Sequence, residues 1–251
     1  MRRLWPDPGE VDDVVAMVAA DARPAPGGRP WVVVNMVASL DGAITIADRS
    51  GGLGGPADKA MFSALRGVAD VVMAGAGTVR AEGYGPARPS DAVRAVRRTR
   101  GQAEVPRIAV VTRSLDLDLA TPLFTDAVEP TIVITCASAD RDRQAAVAEV
   151  AQLLVVGDDA VDLSAAMVRL REEGVEVVTC EGGPHLNGDL VLADLIDEWD
   201  LTVSPTLVGG DAGRSSRGAY PPESIGMDLD RVLEDDSFLL TRWIRRGASC
   251  P

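Results

Sequence analysis

With 251 residues, 46% of them hydrophobic and 25% charged, the chain can bury a substantial core, and its composition excludes intrinsic disorder and collagen-like repeats. A formal charge of −13 opposes binding to nucleic acid or to an anionic membrane surface, so neither is expected as a partner.

In chain order, Met1-Arg2-Arg3-Leu4-Trp5-Pro6-Asp7 turns acidic before any apolar stretch develops, which is not the pattern of a secretory leader. Val11, Val14, Val15 and Val18 have helical spacing within residues 10–22. The run Arg23-Pro24-Ala25-Pro26-Gly27-Gly28-Arg29-Pro30 then breaks the chain. Residues 1–30 are therefore expected to be a peripheral helix and a linker, and residues 31–251 a single domain. Within that domain, apolar and β-branched runs at 31–36, 71–74, 108–111, 131–135, 152–156, 175–179 and 201–204 predict strands covered on both faces. Helical periods at 57–65, 141–150, 163–173 and 186–194 alternate with them. This alternation predicts a three-layer αβα fold of the α/β class, around a mostly parallel twisted central sheet. Residues 237–245 read as a final strand with no helix after it, expected to pair antiparallel at the sheet edge. The arginine-rich stretch 92–104 reads as an exposed insertion.

Three cysteines, Cys136, Cys180 and Cys250, are odd in number and far apart, which predicts reduced thiols rather than a disulfide framework or a zinc knuckle. A single histidine, His185, excludes a histidine-cluster metal site and most Ser-His-Asp schemes, so no metal is expected. No run approaches the roughly 18 apolar residues of a membrane span. A cytoplasmic location is the expectation.

Three turns stand out. The strand at 71–74 runs into Gly75-Ala76-Gly77-Thr78-Val79-Arg80-Ala81-Glu82, where glycines admit a ligand to the backbone and Thr78 stands at a helix start. A tight turn with a threonine cap is the plain alternative. The strand at 175–179 leads to Glu181-Gly182-Gly183-Pro184-His185-Leu186-Asn187, with proline suited to a first helical turn. Glu181 falls at a strand's carboxyl end, where ligands of open α/β sheets gather; a structural turn with a solvated glutamate is the other reading. Finally, Asn35-Met36-Val37-Ala38-Ser39-Leu40-Asp41-Gly42 carries a strand into a polar turn at the same end.

Together, and in this order, Ala38-Ser39-Leu40-Asp41-Gly42, Arg66, residues 70–82, Glu181-Gly182-Gly183, Asp197-Glu198 and Ser204-Pro205-Thr206-Leu207-Val208-Gly209-Gly210 resemble the bacterial riboflavin-pathway reductase domain. That domain has a dihydrofolate-reductase-like fold. The resemblance implies an NADPH-dependent oxidoreductase. Its substrate would be a phosphorylated pyrimidine whose ribosylamino group becomes ribitylamino, as hydride reaches C1′ of the opened ribose. It implies that Gly77, Thr78 and Glu82 contact the cofactor, that Gly182, Gly183, Pro184, His185, Leu186 and Asn187 form its pyrophosphate turn, and that Val37 lies along the nicotinamide. Thr112, Arg113 and Ser114 suit the adenosine 2′-phosphate, since an arginine fork and two hydroxyls match a phosphate monoester. An exposed loop arginine is the alternative.

On the substrate side the resemblance implies Asn35, Ser39, Ser50, Arg66, Arg88 and Glu181, with Arg66 and Arg88 clasping the 5′-phosphate and Glu181 accepting hydrogen bonds from the ring or ribose. Late in a helix, Arg66 also suits a helix-dipole partner. Asp41 is the expected catalytic residue, the polar group nearest the reacting carbon.

The chain departs from the fused bacterial enzymes in three ways. It lacks the deaminase signatures His-x-Glu and Pro-Cys-x-x-Cys, so a stand-alone reductase is expected. Asn35 replaces their lysine, and an amide both donates and accepts, so it admits a 2-amino as well as a 2-oxo ring. Ser50-Gly51-Gly52-Leu53-Gly54-Gly55 replaces a tryptophan-containing loop. A reductase of dihydrofolate or another pterin on the same scaffold, and a non-catalytic NADP- or nucleotide-sensing module, are the competing readings. The resemblance also implies a homodimer.

Overall fold

The computed structural model describes residues 1–247, and Cys250 lies outside the described residues. The chain opens with β1 (Arg2–Trp5), β2 (Gly9–Glu10), α1 (Val14–Ala20), β3 (Trp31–Ser39) and α2 (Pro56–Val68). There follow β4 (Val71–Gly75), α3 (Ala76–Glu82), α4 (Asp91–Thr99), β5 (Arg107–Val111), α5 (Pro122–Thr125), β6 (Ile132–Thr135) and α6 (Arg141–Ala148). The remainder is β7 (Gln152–Val155), α7 (Leu163–Glu172), β8 (Val177–Cys180), α8 (Pro184–Leu192), β9 (Glu198–Ser204), β10 (Met227–Asp235) and β11 (Phe238–Arg245).

Among the described residues the strands form one sheet in the order β2-β1-β10-β11-β9-β3-β8-β4-β5-β6-β7. From β9 to β7 neighbouring strands run parallel. From β9 outward through β11, β10, β1 and β2 they run antiparallel. The expected sheet, parallel with an antiparallel C-terminal edge, is the one observed.

Successive residues of a strand point to opposite faces, and β3 shows how the layers follow. Val32 and Val34 join Val71, Met73, Ile132 and Ile134 under α7 and α8. Trp31 and Val33 instead join Leu233, Leu240 and Ile244 beneath α1 and α2. Continuous β-branched runs read correctly as strands because both faces are covered.

Helix starts fall into two groups apart from the four-residue α5, which follows Thr121 with no side-chain cap bond. Asp13, Ser90, Asp140 and Asp162 accept a hydrogen bond from a first-turn backbone N–H and so cap α1, α4, α6 and α7. α2, α3 and α8 begin at Gly55, Gly75 and Gly183 with no side-chain cap, and all three follow the carboxyl ends of parallel strands. Their first N–H groups therefore point toward the end of the sheet where the glycine turns lie.

Three expectations need correction. Residues 1–30 are more than a peripheral helix and linker, because β1 and β2 extend the sheet and Arg23 is buried. Arg23 donates to Glu198 at 2.9 and 2.7 Å, Arg242 does so at 2.9 and 3.1 Å, and the Trp31 indole adds a bond of 3.0 Å. Asp21, just before, accepts two 2.8 Å bonds from Arg231. Second, the stretch 92–104 is mostly exposed as expected but is more than an insertion, since it contains most of α4, with Val93 and Arg97 buried. Arg97 donates to the backbone carbonyls of Ala69 (2.5 Å), Ala103 (2.7 Å) and Arg66 (3.2 Å). Third, β10 lies where no strand was expected.

Candidate active site

The carboxyl ends of β3, β4 and β8 bring the three singled-out turns to one place. The Gly75 N–H donates to the Gly182 carbonyl at 2.9 Å, and the Glu181 N–H donates to the Met73 carbonyl at 2.9 Å. Gly182 has φ +88°, a conformation suited to glycine, and a Cβ there would lie 3.1 Å from the Met36 sulfur. A Cβ on Gly183 would lie 2.9 Å from Thr78 Oγ1. The two glycine turns thus touch, edge to edge.

A cavity opens on each side of this junction. The larger, about 600 Å³, lies between Gly75–Gly77, the end of β5, the start of α7 and α8. Gly77, Thr112, Arg113, His185 and Leu186 line it, as does Asp189. Burial raises the Asp189 pKa, partly offset by His185. The smaller, about 270 Å³, is bounded by β3, the loop through Ser50 and Gly54, the first turns of α2, and Glu181. Asn35, Val37, Ser50, Thr78, Glu82, Glu181, Gly182, Gly183 and Pro184 line it, with Met36, Ile44 and Phe62 as apolar walls. The structure therefore gathers most of the expected residues around two neighbouring spaces.

Glu181 is the fixed point of the smaller cavity. Its carboxylate accepts from Arg66 Nε and Nη2, both at 2.6 Å, and from the Tyr84 hydroxyl at 2.7 Å. The Arg66 guanidinium also lies 4.3 Å from the centre of the Phe62 ring and 5.6 Å from that of Tyr84. Burial, reinforced by Glu181, pushes the Tyr84 pKa well up, so the phenol keeps its proton and remains a donor. Arg66 thus holds Glu181 and does not line the cavity, contrary to the expected phosphate clasp. Arg88 is also elsewhere, with its side chain 74% exposed and 3.9 Å from Asp126.

Asp41 needs the same correction. It accepts from the backbone N–H groups of Val208 (3.3 Å) and Gly209 (2.6 Å) and closely from the Ser39 hydroxyl, and it does not line either cavity. The Ser39 hydroxyl and those two N–H groups lower its pKa to about 2. It joins the turn after β3 to the loop after β9. Ser39 is buried in the same knot and accepts from the Ala43 N–H at 2.9 Å. Glu82 accepts from Ser50 N–H (2.8 Å) and Oγ (2.9 Å), fixing the loop over the cavity. Asn187 is fully buried and donates to the Ser215 carbonyl at 2.7 Å, so its amide secures the loop after β9 to α8 rather than facing a ligand. Ser114 lies outside both cavities, in an adjoining groove with Arg113 and Arg143.

Sequence reasoning missed Asp58, Lys59, Phe62 and Tyr84, all on the smaller cavity. Burial raises the Asp58 pKa, with the Thr202 hydroxyl and Lys59 pulling part of the way back. The available signal was Gly55-Pro56, a helix start at the ligand end that places the next residues in the first turn. Among the described residues, no group of three His, Cys, Asp or Glu side chains could hold a metal ion, and no helix is long and apolar enough to cross a membrane.

Residues 30–240 match the RibD C-terminal domain model. The chain belongs to that family. It is 31% identical over 183 residues to the 2,5-diamino-6-ribosylamino-4(3H)-pyrimidinone 5′-phosphate reductase of Archaeoglobus fulgidus, covering 72% of this chain and 83% of that protein. The like-named protein of Methanothermobacter thermautotrophicus is 31% identical over 204 residues, covering 81% of this chain and 89% of the relative. Among solved structures, a pyrimidine reductase-like protein from Corynebacterium diphtheriae superposes with a TM-score of 0.77 at 22% identity, covering 86% of this chain and 92% of the other, a likeness of fold.

Proposed function

We propose that this chain is an NADPH-dependent reductase that converts a ribosylamino-pyrimidine 5′-phosphate to its ribitylamino form. The names of the two archaeal relatives support the reaction class and a 2,5-diamino ring. The observation that carries the reading is the junction of the glycine turns, with one cavity on either side.

A dinucleotide fits this layout. The uncapped N–H groups at the start of α8 and the Gly77-Thr78 turn suit a pyrophosphate, and any side chain at Gly182 or Gly183 would crowd Met36 or Thr78 there. The larger cavity accommodates an adenosine, with Arg113, Ser114 and Arg143 at its rim for a 2′-phosphate. When bound, the nicotinamide coenzyme supplies hydride. Val37 and Met36 form the apolar wall beside it. Glu181, locked by three donors, accepts from the ring or ribose without reorganising, and Asn35 meets ring groups of either polarity. Asp58 faces the same space and, as an acceptor, suits the 2-amino edge.

The decisive experiment is a turnover panel. NADPH and NADH are offered with the diamino ring, its 2-oxo counterpart and dihydrofolate, and nicotinamide absorbance is followed. Oxidation of NADPH by a phosphorylated pyrimidine is expected. Oxidation by dihydrofolate alone would assign a pterin reductase, and coenzyme binding without oxidation a nucleotide sensor.

A homodimer belongs to the same proposal. On the face of β9, β10 and β11 opposite α1 and α2, Trp243 lies beside Leu229 and Trp199, and Leu239 beside Val203. Leu229 and Leu239 are exposed, and a surface of this kind suits a second copy.

A further inference from the structure

The diamino ring and its 2-oxo counterpart differ at one edge, and Asn35 does not separate them, because a carboxamide donates and accepts and so meets either. At that edge the 2-amino ring presents two donors, the N3–H and the amino group, where the 2-oxo ring presents a donor and an acceptor. Discrimination therefore calls for a group of one polarity in the same cavity. An ionised carboxylate is such a group, since it only accepts. We propose that Asp58 is the specificity-determining residue of the site, taking both donors of the 2-amino edge and turning away a 2-oxo ring. This rests on the reductase reading and assigns that site's choice of ring.

Asp58, Glu82 and Glu181 all line the smaller cavity, and the two glutamates are engaged. Glu181 has an arm of Arg66 on each oxygen and the Tyr84 hydroxyl as well, and Glu82 carries both Ser50 donors. Asp58 keeps acceptor capacity to spare. It stands in the first turn of α2, where the helix begins without a side-chain cap and favours negative charge. The neighbouring Thr202 hydroxyl and Lys59 ammonium also favour the ionised form against burial, and two ring donors add to them on binding. Thr202 further fixes which end of the cavity the carboxyl serves. It lies opposite Val37 on the parallel pair β3 and β9, two residues along β3 from Asn35. Gly54 leaves the carboxyl room, since a Cβ there would lie 2.6 Å from Asp58 Oδ2. A 2-oxo ring would set its oxygen against this carboxylate, leaving two acceptors unpaired in a largely buried place.

The test compares ligands that differ only at that edge. Calorimetry on the full chain, without coenzyme, measures affinity for the ribitylamino 5′-phosphates of the 2-amino and the 2-oxo ring in wild type, Asp58→Asn and Asn35→Ala. Wild type is expected to bind the 2-amino form about 10- to 100-fold more tightly, the range of a hydrogen bond to a charged group. Asp58→Asn keeps the shape but both donates and accepts, so it should bring the two affinities together, chiefly by weakening the 2-amino form. Asn35→Ala should keep the preference. A wild type indifferent to the substituent, an equal weakening of both forms in Asp58→Asn, an unchanged preference there, or a preference lost in Asn35→Ala would each overturn the proposal. Failure of the reductase reading would look different: no nicotinamide oxidation by wild type with either pyrimidine, while the calorimetric preference and its loss in Asp58→Asn stand.

Discussion

The expected and observed roles of Arg66 separate at the level of one side chain. A phosphate clasp and a Glu181 partner are both charge-assisted contacts, and 115 residues of sequence separate Arg66 from Glu181. Nothing local distinguishes them. The pair is largely buried, with side chains 22% and 2% exposed. Removing the arginine leaves the carboxylate with Tyr84 alone. Arg66→Met is therefore expected to destabilise the fold by about 3 kcal/mol, measured by urea denaturation, and to lower kcat/KM equally for phosphorylated and dephosphorylated substrate. A loss confined to the phosphorylated form would restore the clasp. Asp58 offers a second test, this time by pH. An acid whose pKa is raised on folding contributes most to stability below its ordinary value of 3.8, and that contribution is lost as pH rises through the folded value. Asp58→Asn should therefore melt higher than wild type near neutral pH, with the gap closing below pH 3.8, while affinity for the 2-amino ring falls. A melting difference independent of pH would show that burial does not raise this carboxyl.

At the scale of elements, the glycine turns read clearly because each stands at the end of a β-branched, largely apolar run. Gly77 and Gly183 divide the two parts such a turn plays. A Cβ on Gly77 meets nothing within 4 Å, whereas one on Gly183 meets Thr78 Oγ1 at 2.9 Å. Gly77→Ala should keep the wild-type melting temperature yet weaken NADPH binding by about tenfold, the scale of one charge-assisted contact, in a fluorescence titration. Gly183→Ala should impair both. Unchanged NADPH affinity in Gly77→Ala would remove the coenzyme from the larger cavity. What sequence hid follows from paired charge. β10 carries Asp228, Asp230, Arg231 and Glu234 and shows no apolar run, and α4 carries Arg97 in a stretch that reads as exposed. Yet Arg231 is buried on Asp21, and Arg97 on backbone carbonyls. A charge neutralised by a distant partner has the same letter as one in water. Asp58 was hidden differently, since only the folded chain shows which side of a helix faces a cavity, and Tyr84 lies in the loop just after α3.

At the scale of the molecule, the two sides of the antiparallel edge differ. Inward, Glu198 draws together Arg23, Arg242 and Trp31. Burial alone would raise its pKa, but the two guanidinium groups outweigh this and hold it well below the usual range, so the N-terminal segment is fastened to β9 and β11 by a carboxylate that stays ionised. Outward, the sheet has no such cover. Phe238 and Leu240 point into the core beneath α1 and α2, so Leu239 between them must point away, and it is 37% exposed. A charge introduced there disturbs nothing beneath the helices. Should the outer face hold a second copy, twofold symmetry places each substitution in the interface twice, and like charges then meet across it. Leu239→Arg is accordingly expected to sediment as a monomer, while the wild type sediments as a dimer of 26.3 kDa chains, and both should melt at the same temperature. A dimer that survives the substitution would move the interface to another face, and a monomeric wild type would remove it.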